Sequence, residues 1–313
     1  MVNNKKTITM FTPCYNEEEN IELLYNSVCS VTEKITGYNF EHVFIDNAST
    51  DNTLSILKQI ADRDSRVKII ANVRNFGHVR SPYYGLLQCA GDAVICIVAD
   101  LQDPPSMIPT FIEEWEKGHA LVLGIKSKSK ENPIMFMIRK SFYSIIKKIS
   151  DTEHLSNFTG FGLYDQKFLS IVRLIDDPYP YFRGMVVEYG WNIKTIEYTQ
   201  QKRIHGKTKN NFFTLYDIAM LGFVNHSKLP LRLSAFIGFF TAILSLLVAL
   251  IYFIYKLIYW NNFEVGLAPL VIGVFFFSSV QLFFIGIIGE YIGAIHTQVR
   301  KRPLVVEKER INL

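Results

Sequence analysis

Two uncharged apolar runs near the C-terminal end, Leu233–Tyr255 and Val265–Gly289, constrain this chain more than any other feature. Each exceeds the ~20 residues that a helix needs to cross the hydrocarbon core of a bilayer. A helix that is apolar all round has no polar face to turn to water, so the runs predict a transmembrane hairpin. Lys228 and Arg232 precede the first run, and Arg300, Lys301 and Arg302 follow the second. The loop between them carries only Lys256 and Glu264. Because basic residues favour the cytoplasmic side, the asymmetry predicts both outer ends, and the large N-terminal part with them, in the cytoplasm.

The rest of the sequence excludes several classes. Hydrophobic residues make up 49% and charged residues 20%, which excludes an intrinsically disordered chain. The net charge of +4, from 33 Lys+Arg against 29 Asp+Glu, lacks the basic bias of a nucleic-acid binder. Cys14, Cys29, Cys89 and Cys96 match no zinc or redox spacing and read as buried reduced thiols. Met1-Val-Asn-Asn-Lys-Lys carries no apolar signal core.

In the first 125 residues, short β-branched runs alternate with helical patterns. Thr7–Thr12, His42–Ile45, Val67–Ala71, Ala93–Ala99 and Leu121–Gly124 predict strands, and Glu17–Ile35, Asp51–Asp62, Val79–Cys89 and Pro105–Lys117 predict helices. Such alternation implies right-handed crossovers, hence an α/β fold with a mainly parallel sheet and helices on both faces. Ligands of such sheets bind at the carboxyl ends of the strands. There the sequence reads Pro13-Cys-Tyr-Asn-Glu17, Asp46-Asn-Ala-Ser-Thr-Asp51, Arg74-Asn-Phe-Gly-His78 and Asp100-Leu-Gln-Asp-Pro-Pro105. Asp51, and Asp103 before two prolines, are placed to cap helices. Asp46 and Asp100 fall one residue too early for that and are candidate ligand groups. No Gly-rich dinucleotide fingerprint follows the first strand, and Gly206-Lys-Thr208 lacks the first Gly of a phosphate loop, Gln201 standing in its place.

Together these strand-end motifs resemble the family-2 glycosyltransferases of the GT-A (Rossmann-like) fold, and within them the polyprenyl-phosphate branch that holds the bactoprenol glucosyltransferases and dolichyl-phosphate mannose synthases. Arg203-x-x-Gly-x-x-Lys209, Pro230-Leu-Arg232, Gly286-Ile-Ile-Gly-Glu-Tyr291 and Arg302-Pro303 extend the likeness over nearly the whole chain. The resemblance implies an inverting transfer of a sugar from a nucleotide-sugar, a UDP-sugar ahead of a GDP-sugar, to undecaprenyl phosphate. It implies that Asp100 and Gln102 bind Mg²⁺ or Mn²⁺. Pro13, Tyr15, Glu17, Asp46, Asn47, Ala99 and Lys126 would meet the donor, with Arg203 and Lys209 over its diphosphate. Arg139 and Ser141, in the helical stretch Ile138–Ile149, are candidates for the acceptor phosphate, with Arg139 as an ordinary surface charge the competing reading. A lipid phosphate is already an anionic nucleophile near neutral pH, so no general base is expected.

Three residues depart from the family pattern. Val98 replaces the first carboxylate of the usual Asp-x-Asp, Asn47 replaces the second of an Asp-Asp pair, and Lys126 stands where the family has Arg. A processive polysaccharide synthase is the rival enzyme, but no Trp of this chain follows an Arg as its Gln-x-x-Arg-Trp motif requires. A membrane adaptor that keeps the fold without activity is the other rival. The expected organisation is a catalytic domain over residues 1–210, a juxtamembrane stretch over 211–230, two spans within 231–294 and a basic tail over 295–313. Phe212–Val224 has one apolar helical face, suited equally to the bilayer surface or to packing on the soluble domain. Gly238, Gly273, Gly286, Gly289 and Gly293 allow close helix approach, either within one hairpin or between copies as a homo-oligomer.

Overall fold

The computed structural model describes residues 5–128, 155, 157–201, 229–259 and 267–313. The chain divides into two compact units, one of residues 1–222 and 300–313 and the other of residues 223–299.

The first unit is built on an eight-stranded sheet: β1 (Thr7–Cys14), β2 (Asn39–Asp46), β3 (Val67–Asn72), β4 (Ala93–Cys96), β5 (Leu121–Lys128), β6 (Phe158–Asp165), β7 (Ile193–Thr199) and β8 (Glu307–Ile311), in the spatial order β7-β5-β6-β4-β1-β2-β3-β8. The ladders β1–β2, β2–β3, β1–β4 and β5–β7 are parallel. β6 runs antiparallel to both β4 and β5, and β8 antiparallel to β3. The sheet is thus mixed, but the carboxyl ends of β1 to β5 and of β7 share one edge. The chain winds outward from β1 through β2 to β3 and then returns to place β4 on the other side of β1. That reversal opens a crevice between β1 and β4, the position where open α/β sheets take their ligands.

Helices cover both faces. α1 (Ile21–Thr32), α2 (Thr53–Arg63) and α4 (Ile108–Glu116) bury Leu24, Leu57, Phe111 and Trp115 with Ile8, Met10 and Ile95 of the sheet. On the opposite face α3 (Gly77–Gln88), α5 (Gln166–Val172) and α6 (Phe182–Glu188) bury Tyr83, Leu86, Phe168 and Val186 with Phe11, Val94 and Tyr164. A single 3-10 turn, Pro105–Met107, leads into α4. The four cysteines are free thiols. Burial is the main cause raising the thiol pKa of Cys14, Cys89 and Cys96, as expected of inert core residues.

The predicted strands and helices of the first 125 residues all form, with shifted ends. β4 stops at Cys96 rather than Ala99, because the backbone leaves the sheet to build a turn in which Leu101 takes φ 58°. β6, β7 and β8 carry no comparable signal. In β6 the cause is its glycines: a Cβ on Gly162 would lie 2.6 Å from the Val122 carbonyl oxygen, so close pairing with β5 demands Gly there and erases the apolar alternation.

The segment read as a basic tail is ordered differently from that expectation. Helix continues to Val299, and Glu307–Ile311 then completes the sheet. Val305 is buried, Leu304 and Ile311 pack against the two cores, Lys58 meets Glu309 at 2.7 Å, and Asn312 Nδ2 donates to the Ala61 and Val67 carbonyls.

The second unit contains α7 (Leu229–Ile258) and α8 (Leu267–Val299). Within them Leu233–Tyr255 and Gly273–Val299 are long and apolar enough to cross a membrane. The second lies further along the chain than the predicted Val265–Gly289. The stretches Phe212–Val224 and Ile138–Ile149 lie outside the described residues.

Candidate functional site

The strand-end residues converge around the β1/β4 crevice. After β1, Asn16 takes φ 55° and its amide holds the next strand end, accepting from Thr50 N–H at 2.8 Å and donating to Thr50 Oγ1 at 3.1 Å. Glu17 N–H donates to Thr53 Oγ1 at 2.8 Å, and its carboxylate accepts from Asn20 at 2.7 Å. Asp51 receives Thr53 N–H and Oγ1–H at the head of α2, where Asn52 holds the N-cap position, so Asp51 opens the helix without being its cap residue. Pro13, Tyr15 and Glu17 are half-buried along this rim.

Asp46 and Asn47 hold turns together. Asp46 is 1% exposed, and its carboxylate accepts from Ser49 N–H and from Ser49 Oγ–H. Burial raises its pKa, partly offset by those hydrogen bonds. Asn47 Nδ2 donates to Asn75 Oδ1 (3.0 Å) and the Gly77 carbonyl (3.2 Å), while its Oδ1 accepts from Asn72 Nδ2 (3.1 Å) and Phe76 N–H (2.9 Å). Two donors and two acceptor sites are all that an amide has. The side chain expected to read a base edge therefore fastens the end of β2 to the loop before α3, where Gly77 takes φ 86°. Asn72, Asn75 and Ser81 complete this network, which reading strand ends one at a time does not show. Asn47→Asp would set a carboxylate oxygen against two acceptors. It is expected to cost about 1–3 kcal/mol, read as a lower melting temperature.

After β4, Asp100 is 6% exposed and accepts Gln102 N–H at 3.1 Å; Ala99 is buried behind it. Gln102 is tied to the segment beyond β7, since Gln201 N–H donates to the Gln102 carbonyl at 3.3 Å. Its side-chain Nε2 points at the Gln201 carbonyl at 3.5 Å. Arg203 and Lys209, which follow that segment, lie outside the described residues, as do Arg139 and Ser141.

Asp103 does not cap a helix. It is 2% exposed and accepts Tyr198 Oη–H at 2.6 Å, joining the turn after β4 to β7. Burial pushes its pKa up to about 6, opposed by that hydrogen bond and by the nearby charge of Lys126 on β5. A carboxyl whose folded pKa lies above its unfolded value contributes stability below the unfolded pKa, near 3.8, and loses it as pH rises through about 6. Asp103→Asn removes this titration. The melting temperature of the wild type is expected to fall relative to the variant between pH 4 and pH 6.5.

A cavity of about 310 Å³ opens at the segment after β4 that carries Asp100, lined by Pro13, Cys96, Val98 and Asp103 from the strand ends, with His78 of α3 and Arg183 of α6. Among the described residues no group of three His, Cys, Asp or Glu side chains could enclose a metal ion. Asp100 and Gln102 carry oxygens that could hold Mg²⁺ or Mn²⁺ were substrate phosphates to complete the shell.

Comparison with known proteins shows the family. Residues 9–172 match the profile of glycosyl transferase family 2. The chain is 33% identical over 303 residues to a prophage-derived bactoprenol glucosyl transferase of Shigella flexneri, covering 96% of this chain and 97% of the relative. It is 32% identical over 308 residues to a prophage bactoprenol glucosyl transferase homolog of Escherichia coli, covering 96% and 98%. An uncharacterised glycosyltransferase of Bacillus subtilis is 31% identical, covering 95% and 92%. Among solved structures, mannosyl-3-phosphoglycerate synthase from Rubrobacter xylanophilus superposes with a TM-score of 0.50 at 12% identity, over 69% of this chain and 71% of that one, a likeness of fold. With the strand-end motifs, the GT-A sheet and near-full-length relatives in agreement, the chain is a glycosyltransferase and belongs to family 2.

Proposed function

We propose that this enzyme transfers a sugar from a nucleotide-sugar to undecaprenyl phosphate at the cytoplasmic face of a bacterial membrane, with inversion at the anomeric carbon. The observation that carries the reading is the near-full-length likeness to bactoprenol glucosyl transferases, which takes in the two apolar helices as well as the catalytic unit. A polyprenyl acceptor lies in the bilayer, and an enzyme anchored there meets it without extracting it from lipid.

The residues at the crevice suit the chemistry. A divalent cation, held by Asp100 and Gln102, would supply charge compensation for the leaving diphosphate. Pro13, Tyr15 and Glu17 line the rim where the nucleotide would lie. Arg203 and Lys209, by their match to the family motif, add positive charge to the diphosphate, and Arg139 and Ser141 are the acceptor-phosphate candidates. A phosphate monoester is largely ionised at neutral pH, so alignment replaces proton abstraction. The basic flanks of the spans support the cytoplasmic placement, and a UDP-sugar is preferred over a GDP-sugar as donor.

The test is direct. Purified full-length protein is incubated with radiolabelled UDP- and GDP-sugars, undecaprenyl phosphate and Mg²⁺ or Mn²⁺, and the organic phase is counted. Label in a chloroform-soluble product is expected. Its absence with every donor, or label in a long water-soluble polymer, overturns the proposal.

A further inference from the structure

We propose that the cavity at the segment after β4 receives the transferred sugar and selects one bearing an apolar substituent, a 6-deoxy methyl or an N-acetyl methyl, over a plain hexose. The inference rests on the nucleotide-sugar reading above and goes further, to the class of sugar.

The argument begins with where Val98 points. Val94 belongs to the core on the α3 and α6 side; Cys96 ends β4, Val98 lies just beyond it, and both line the cavity on that same side. A carboxylate at position 98 would put a hydrogen-bond acceptor into this wall. This chain instead presents the Val98 side chain next to Cys96, backed by Phe161 of β6. The cavity's charged groups lie elsewhere in its lining: Asp103, His78 and Arg183.

Position and size select the sugar. Val98 and Asp103 bracket Asp100 in sequence, and both line the recess. Val98 is two residues from Asp100, so a sugar joined to a diphosphate at Asp100 lies within reach of this space. At about 310 Å³ the cavity is at the small end of ligand pockets, sized for one sugar and not for a long lipid. Its two kinds of wall then sort the substituents. Hydroxyls find partners at Asp103, His78 and Arg183. A hydroxyl turned to Val98 and Cys96 loses water and gains no hydrogen bond, which costs roughly tenfold in affinity, whereas a methyl there gains contact.

The test measures binding rather than turnover. Full-length protein in detergent with Mg²⁺ is titrated calorimetrically with UDP and GDP to fix the base. It is then titrated with UDP-glucose against UDP-N-acetylglucosamine, and with GDP-mannose against its 6-deoxy analogue GDP-rhamnose. The substituted sugar of the accepted base is expected to bind at least fivefold tighter than the plain hexose. Val98→Asp should bring that ratio below twofold, and the near-isosteric Val98→Thr should reduce it with little effect on folding. Equal affinities in the wild type, or a ratio unchanged in both variants, overturn the cavity assignment while leaving nucleotide-sugar transfer intact. Failure of both UDP and GDP to bind overturns the nucleotide-sugar reading, and this inference with it.

Discussion

Asp100→Ala is expected to lower sugar transfer to lipid by roughly 10³-fold, the scale of losing a preorganised electrostatic contact to developing charge. Stability should change little, because the 3.1 Å hydrogen bond from Gln102 N–H is worth about 1 kcal/mol. Asp100→Asn separates the two roles of this side chain. It keeps an oxygen for Gln102 but removes the charge, so equal inactivity in both variants assigns the loss to metal binding. Recovery in the Asn variant would assign it to the turn, and full activity in Ala would move the metal site away from Asp100. Membrane insertion, followed by fractionation, should be the same in all three proteins.

Ending the chain at Pro303 should produce the largest stability effect. It removes β8 and exposes the edge of β3 along Ile69–Asn72. It also removes the buried Val305, the packed Leu304 and Ile311, and the Asn312 hydrogen bonds to the Ala61 and Val67 carbonyls. Losing a paired edge strand with one buried and two packed aliphatic side chains is expected to cost about 3–4 kcal/mol, the scale of a large-to-small core substitution, or a melting temperature lower by roughly 6–15 °C. Differential scanning fluorimetry reads this directly. An unchanged melting temperature would mean that the strand contributes nothing to folding. Activity is expected to fall as well, since Val73 N–H donates to the Val306 carbonyl immediately before the turn that leads to His78, which lines the cavity.

What the sequence revealed and what it hid follow from the same physics. Strands β1 to β5 are legible because each is a short β-branched run bounded by turn residues, and the motifs after β1 to β4 stand out because polar side chains cluster there. β8 is hidden because Glu-Lys-Glu-Arg-Ile has no apolar alternation. It is held by backbone pairing to β3 and by charge pairs such as Lys58–Glu309, which no periodicity records. Asp103 looks like a cap because Pro follows it, yet a strand 95 positions later supplies its partner, Tyr198. Asn47 reads as a ligand residue from its place in the motif. Its true partners, Asn72, Asn75, Phe76 and Gly77, lie 25 to 30 positions away on the next strand end. Local patterns show which elements exist. Side-chain partners arise only when the sheet brings distant turns to one edge.

The placement of β8 also orders events during synthesis. One edge of the catalytic sheet is encoded after both apolar helices, so the ribosome delivers β1 to β7 first and the hairpin next. Only then come the residues that close β3. At ordinary elongation rates of about 5–20 residues per second, that edge stays open for several seconds. An open edge strand is a template for pairing with another chain. Translation thus makes completion of the sheet wait for the two apolar helices, and a nascent chain stalled before Arg300 would be the aggregation-prone species.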